Sequence, residues 1–181
     1  FSLSEKSVAQ TTKVTSGIYV TVKDFQDNKL MEEADCKKDK AKFEIHDFLA
    51  KESFVVIIKG QKKTYLKKDI YGYRDCENEV WRFYNNKEYR IMETKPLCIY
   101  SRYKVEFNSL IVEKDLAYYF SKGLTEEIKD LSIDTLKLAF PNNHAFHNML
   151  DTEFNPDKAI YSYDSAHKMF KVNYLFTQSE K

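Results

Sequence analysis

From Phe43 to Phe120 the chain consists of short apolar or alternating stretches separated by two to four residues of turn chemistry. That rhythm constrains the fold more than any other feature. Phe54-Val55-Val56-Ile57-Ile58 is a continuous, largely β-branched run, which reads as a strand buried on both faces. Before it, Phe43, Ile45 and Asp47 alternate with Glu44 and His46 and lead into Phe48 and Leu49. After it, Lys59-Gly60-Gln61-Lys62 reads as a tight turn and Lys63 to Lys67 as the returning strand. Ile70 to Tyr73, Val80 to Tyr84, Tyr89 to Met92, Leu97 to Tyr103, Lys104 to Val112 and Leu116 to Phe120 continue the pattern. Turns are expected at Asp75 to Asn78 and at Asn85-Asn86. Strands so spaced predict an antiparallel β meander, arranged as a sandwich or a partly closed barrel.

At Gly123 the pattern changes from period two to helical spacing. Ser132 is placed to cap a helix carrying Ile133, Leu136 and Phe140 on one face, and Pro141 stops it. Asn142 or Asn143 opens a second helix with Phe146, Met149 and Leu150 inward, and Asn155-Pro156 breaks it. A third helix is expected from about Asp164 to Phe176. The expected fold class is therefore α+β, an antiparallel β domain over 17–122 followed by a short three-helix C-terminal part, 123–181, packed on it. Near the start, Gly17 to Val20 is a short β-like entry, and Thr21 can cap one helical turn through Val22 to Asp27. The polar segment 1–16 reads as a flexible N-terminal tail. The chain opens on Phe1 rather than Met, and the expectation is that a targeting segment has been removed. The tail then fits a stub after an export signal or lipid anchor, and equally an ordinary frayed terminus.

Composition supports a packed interior. Hydrophobic residues make up 43% of the 181, and thirteen Tyr, thirteen Phe and one Trp supply large buried areas. Lys and Arg number 29 against 28 acids, a net charge of +1, so no global field recruits nucleic acid or a membrane surface. The distribution is uneven, with ten Lys against five acids from Lys37 to Ile70, and ten acids against four Lys from Glu106 to Asp157. Such asymmetry steers partners, and it equally marks solvated helix faces and Lys-protected edge strands. The longest strongly apolar run, Phe54 to Ile58, is far short of a membrane span, so no transmembrane segment is expected.

Glycine excludes several chemistries. The four glycines, Gly17, Gly60, Gly72 and Gly123, lie too far apart for a GxGxxG turn, a P-loop or a nucleophile elbow. No H-E-x-x-H and no EF-hand loop occurs. No cofactor is implied. The cysteines Cys36, Cys76 and Cys98 are widely separated and odd in number, which permits at most one internal disulfide and leaves the compartment open.

Three constellations remain as candidates. His144, His147 and Asp151 are spaced to share one helix face, where two imidazoles and a carboxylate could bind zinc, with His167 as a further ligand. The same face lies opposite Phe146 and Met149, so these residues also read as a solvated surface with an ordinary His147–Asp151 pair. Cys76 or Cys98, with His46 as base, would make a thiol nucleophile, which requires an electropositive and partly open setting. Free cysteine is otherwise among the most buried residue types. Third, Lys62, Lys63, Tyr65, Lys67, Lys68, Tyr71, Tyr73 and Arg74 interleave cations with rings. On one sheet face they would form a platform for single-stranded nucleic acid, or for carbohydrate or peptide. A half-buried strand shows the same alternation.

Four stretches taken together, SGIYVTVKDFQDNKL (Ser16 to Leu30), LKKDIYGYRDCENEVW (Leu66 to Trp81), YYFSKGLTEEIKDLSIDTLKLAFPNNHAFHNMLDTEF (Tyr118 to Phe154) and YDSAHKMFKVNYLF (Tyr163 to Phe176), resemble a group of exported proteins of unknown function from Bacteroidota. One departure is visible, since that group often has glycine after the Asp of the GY-x-D turn, where Cys76 and Glu77 follow Asp75 here. The resemblance implies an exported protein, periplasmic, outer-membrane-associated or secreted, and carries over no catalytic residue. The leading expectation is a non-enzymatic binding or cell-envelope accessory protein with a protein, peptide or glycan ligand, and no nucleic acid. The alternatives are a metal- or thiol-dependent hydrolase using the histidines or cysteines above, and a single-strand nucleic-acid binder using Lys63, Tyr65, Lys67, Tyr71, Tyr73 and Arg74.

Overall fold

The computed structural model describes residues 14–46, 50–108, 111–154 and 159–181, with the backbone alone in 105–108 and 111–114. The strands are β1 (Thr15–Tyr19), β2 (Met31–Asp35), β3 (Lys42–Glu44), β4 (Ser53–Ile58), β5 (Gln61–Leu66), β6 (Gly72–Arg74), β7 (Val80–Tyr84), β8 (Lys87–Glu93), β9 (Cys98–Asn108), β10 (Ile111–Ser121), β11 (Lys129–Asp130), β12 (Tyr163–Asp164) and β13 (Met169–Phe170). The helices are α1 (Val22–Gln26), α2 (Ile133–Ala139), α3 (His144–Glu153) and α4 (Lys171–Ser179). The architecture is α+β. An eight-stranded sheet runs in the order β11-β10-β9-β8-β7-β6-β1-β2, and a separate three-stranded sheet in the order β3-β4-β5. All pairings are antiparallel. β11 and β2 remain the two edges of the large sheet, so no barrel closes among the described residues.

Local chemistry explains the tight turns. Lys59 and Gly60, between the paired residues Ile58 and Gln61, have φ of 53° and 79°. Asn85 and Asn86, between Tyr84 and Lys87, have φ of 49° and 61°. Positive φ at both central residues is the type I′ geometry whose twist matches the flanking strands. Gly72 has a different reason to be glycine. A Cβ there would lie 1.9 Å from the Trp81 carbonyl oxygen, so β6 and β7 approach too closely for any side chain.

Register divides the large sheet into two faces. Ile18, Tyr73 and Trp81 stand opposite one another across β1, β6 and β7, and Ile99 and Phe120 continue that face across β9 and β10. At one end of it the small sheet packs Phe54 and Val56 against Ile18, Tyr73 and Phe83. At the other end Leu136, Phe146, Leu150, Val172 and Leu175 from α2, α3 and α4 pack on Ile99 and Phe120. The reverse face carries Tyr89, Tyr100, Tyr119 and Ile128.

The starts of α1, α2 and α3 are capped by side chains, while α4 starts at Phe170 without one. Thr21 and Asp24 form a reciprocal capping box on α1, as do Ser132 and Thr135 on α2. Asn143 Oδ1 accepts the Phe146 N–H at 2.9 Å to start α3. No described helix is long and apolar enough to cross a membrane.

Several expectations need revision. The run at β4 is not buried on both faces: Phe54 and Val56 are buried while Val55 and Ile57 are partly exposed, because only one side of the small sheet is covered. The strands expected over Leu97 to Tyr103 and Lys104 to Val112 are not divided at Tyr103: β9 runs unbroken to Asn108, and β10 begins at Ile111. The helix expected from Asp164 starts only at Lys171. Asp164 Oδ1 instead accepts the N–H groups of Ala166 and His167, a side-chain turn that folds β12 back on β13. Thr15 and Ser16, expected in a flexible tail, are buried within β1, while residues 1–13, Asp47 to Leu49 and the Asn155-Pro156 break lie outside the described residues.

Candidate functional site

The strand β7 reads Val-Trp-Arg-Phe-Tyr, and its alternation turns Trp81 and Phe83 to the small sheet and Arg82 to the reverse face. Arg82 is paired across the sheet with Gly72 on one side and Tyr89 on the other. A cleft of about 700 Å³ opens between Val20 to Val22, the 3-10 turn Lys67–Asp69, and the β7–β8 hairpin, lined among others by Lys67, Tyr71, Arg82, Tyr84 and Asn86.

Arg82 is only 4% exposed. Its guanidinium lies over three rings, 5.8 Å from the centroid of Tyr71, 5.6 Å from Tyr84 and 5.7 Å from Tyr100. The negative ring faces attract a cation held in such a cage. Its hydrogen-bond partners are neutral: Nη1 donates to the Tyr100 hydroxyl at 2.8 Å and Nη2 to the Glu126 carbonyl at 2.8 Å. Burial pushes the Tyr100 hydroxyl up to about 12, against the opposing pull of Arg82, so it stays protonated. Ser121 Oγ donates to the Gly123 carbonyl at 2.7 Å, so the bond of 2.9 Å between Tyr100 and Ser121 has Tyr100 as donor. The result is a directed chain from Arg82 through Tyr100 and Ser121 to the backbone. Lys67, only 2% exposed, donates to the Asn86 carbonyl at 2.8 Å and lies 5.7 Å from the Phe83 ring centroid. The Tyr71 hydroxyl is buried with no hydrogen-bond partner. Burial raises its pKa, Tyr100 adds to the effect, and Arg82 opposes it.

Of the six residues expected to share a binding face, the structure brings Lys67 and Tyr71 to the cleft. Lys63 and Tyr65 instead converge on Glu32 of β2, at 2.8 and 2.9 Å. The Lys63 hydrogen bond holds the Glu32 carboxyl below its ordinary range, with burial opposing and Tyr65 assisting, while burial and Glu32 push the Tyr65 hydroxyl up to about 12. Tyr73 is buried against Phe43 and Trp81, with its hydroxyl bonded to Glu88. Arg74 pins the start of β1, donating from Nε to the Thr15 carbonyl, from Nη2 to Thr15 Oγ1, each at 2.9 Å, and from Nη1 to Asn28 at 2.8 Å. Arg82 was not among the expected residues. Its signal was a lone cation inside an otherwise apolar, aromatic strand.

His144 and His147 do share a face of α3, with ring centroids 5.8 Å apart, but Asp151 is held by Lys137 of α2 at 2.6 Å. His147 Nε2 lies 2.9 Å from the Phe140 carbonyl oxygen. His167 pairs with Asp164 and stacks on Tyr174 at 3.9 Å. Among the described residues no group of three or more His, Cys, Asp or Glu is arranged to hold a metal ion.

The thiol pair is corrected outright at Cys76, which is disulfide-bonded to Cys36 and has no free thiol. Cys98 is free but fully buried, with its pKa raised chiefly by burial. That is the opposite of the depressed, accessible thiolate a nucleophile needs.

Comparison of the chain with family models, with curated proteins and with solved structures finds no match.

Proposed function

We propose that this chain is an exported, non-enzymatic binding protein of the cell envelope that holds a peptide, protein or glycan ligand in the cleft above Arg82. The observation that carries the reading is the caged guanidinium. A buried charge is costly, and this one is fixed in place by three rings and two neutral oxygens at the wall of an open cleft. Rings with a few fixed polar groups are the usual lining of a ligand site. The Cys36–Cys76 disulfide supports export, because such bonds persist mainly in oxidising compartments.

The test is a thermal-shift panel of soluble glycans and peptides on the purified chain, repeated on Tyr84→Ala. A ligand at one hundred times its Kd stabilises a fold by about 2.7 kcal/mol, which is readily seen as a rise in Tm. True occupants of the cleft are expected to lose that rise in Tyr84→Ala. If no compound moves Tm, or if every hit keeps its shift in the variant, the cleft is not the binding site.

A further inference from the structure

We infer that the occupant of this cleft presents an oxyanion, a carboxylate or phosphate group, to the Arg82 side of the cleft. The inference rests on the reading of the cleft as a binding site. Two cations line it with exposures of 4% or less, Arg82 and Lys67, and both hydrogen bonds of Arg82 go to neutral oxygens. A guanidinium carries about five N–H donors, and protein oxygens take two bonds from Arg82, so donors remain for a further acceptor. The Tyr71 hydroxyl beside it keeps its proton and is an unused donor. Lys68 adds a third cation at the exposed rim.

Two acids, Glu52 and Asp69, also line the cleft, so formal charge alone does not decide the matter. Position does. Both acids are exposed, where water screens them roughly fourfold more strongly than a partly buried site is screened. Buried Arg82, bonded to neutral oxygens, keeps its field. Arg is also the side chain best shaped for a planar or tetrahedral oxyanion, because its fork donates two parallel hydrogen bonds.

The discriminating probes are inorganic pyrophosphate, trigalacturonate and the neutral methyl ester of trigalacturonate, titrated into the intact protein by calorimetry at low and physiological salt. Binding of trigalacturonate at least tenfold tighter than its ester, weakened by salt and weakened several-fold in Lys68→Ala, is the expected result for a carboxylate. Binding of pyrophosphate with the same dependences assigns a phosphate. Equal affinity for acid and ester, with no pyrophosphate binding, overturns the oxyanion while leaving the cleft a binding site. Failure of both charged probes overturns the oxyanion as well, and the glycan and peptide panel then judges the cleft separately. Arg82→Met removes the cation directly. Should that variant fail to fold, the acid–ester pair and the salt dependence on the unaltered protein still decide the question.

Discussion

At the β9–β10 end of the large sheet the covering layer is three helices, and the side chains they bury against Ile99 and Phe120 are apolar: Leu136, Phe146, Leu150, Val172 and Leu175. At the β1–β6–β7 end the cover is a three-stranded sheet, and the packing of Phe54, Val56 and Tyr73 is reinforced by specific ties. Cys36 is bonded to Cys76, Arg74 grips Thr15 and Asn28, and Lys63 and Tyr65 clamp Glu32. The helical end also carries a polar insertion. Asn173 of α4, fully buried, accepts the Leu97 N–H, donates to the Leu97 carbonyl, and bonds Glu93. A sheet edge covered by helices can rely on contiguous apolar area. An end covered by a small sheet with one exposed side has less of it, and discrete bonds make up the difference. The cleft opens on the reverse face at that second end, beside Arg82 of β7.

This contrast is open to attack from both sides. The largest effect is expected at the helical end, where Phe146→Ala removes a fully buried ring and should cost about 3–5 kcal/mol by urea denaturation. A loss under about 1 kcal/mol would show that this end does not depend on packing. Next, Cys36→Ala with Cys76→Ala opens a loop with a sequence separation of 40 and should cost about 2–4 kcal/mol. The same pair should leave hydrogen exchange in α3 and α4 unchanged apart from the global loss. Third, Asn173→Ala strands the Leu97 backbone groups and should cost about 1–3 kcal/mol. A value near zero would mean the helical end needs no polar anchor.

The smallest effect is pH-dependent. The folded-state pKa of Glu32 lies below its ordinary value, so its contribution is present above the unfolded carboxylate pKa of about 4.3 and is lost as pH falls through the folded value. Lys63→Ala should therefore flatten the acid limb of the stability curve. The change should be under about 1 kcal/mol, because the Lys63 side chain is 54% exposed and water screens the pair.

Features set by neighbours in the chain were legible from residues alone. The turn at Asn85-Asn86 and the caps at Thr21, Ser132 and Asn143 depend on a few consecutive residues and stand where expected, while the turn expected over Lys59 to Lys62 closes at Lys59-Gly60, with Gln61 already in β5. The pairing of Cys36 with Cys76 and the bond from Asn173 to Glu93, 80 residues apart, depend on sheet order, which periodicity does not encode. The candidate site divides along the same line. Lys67 and Tyr71 could be singled out as cation and ring, but placing them beside Arg82 requires knowing that β6 pairs with β7 and that the Glu126 carbonyl reaches over it. The i, i+4 spacing of His147 and Asp151 was visible, whereas Lys137, which takes the carboxylate, belongs to the preceding helix.

The Cys36–Cys76 bond makes a ring of everything between those two residues, and that ring contains β3, β4, β5 and β6. One backbone cut inside it linearises the ring without detaching either half, so the nicked chain still migrates as one species until a reductant is added. Separating the chain at a single such cut thus demands two separate insults, scission and reduction, and neither alone is sufficient.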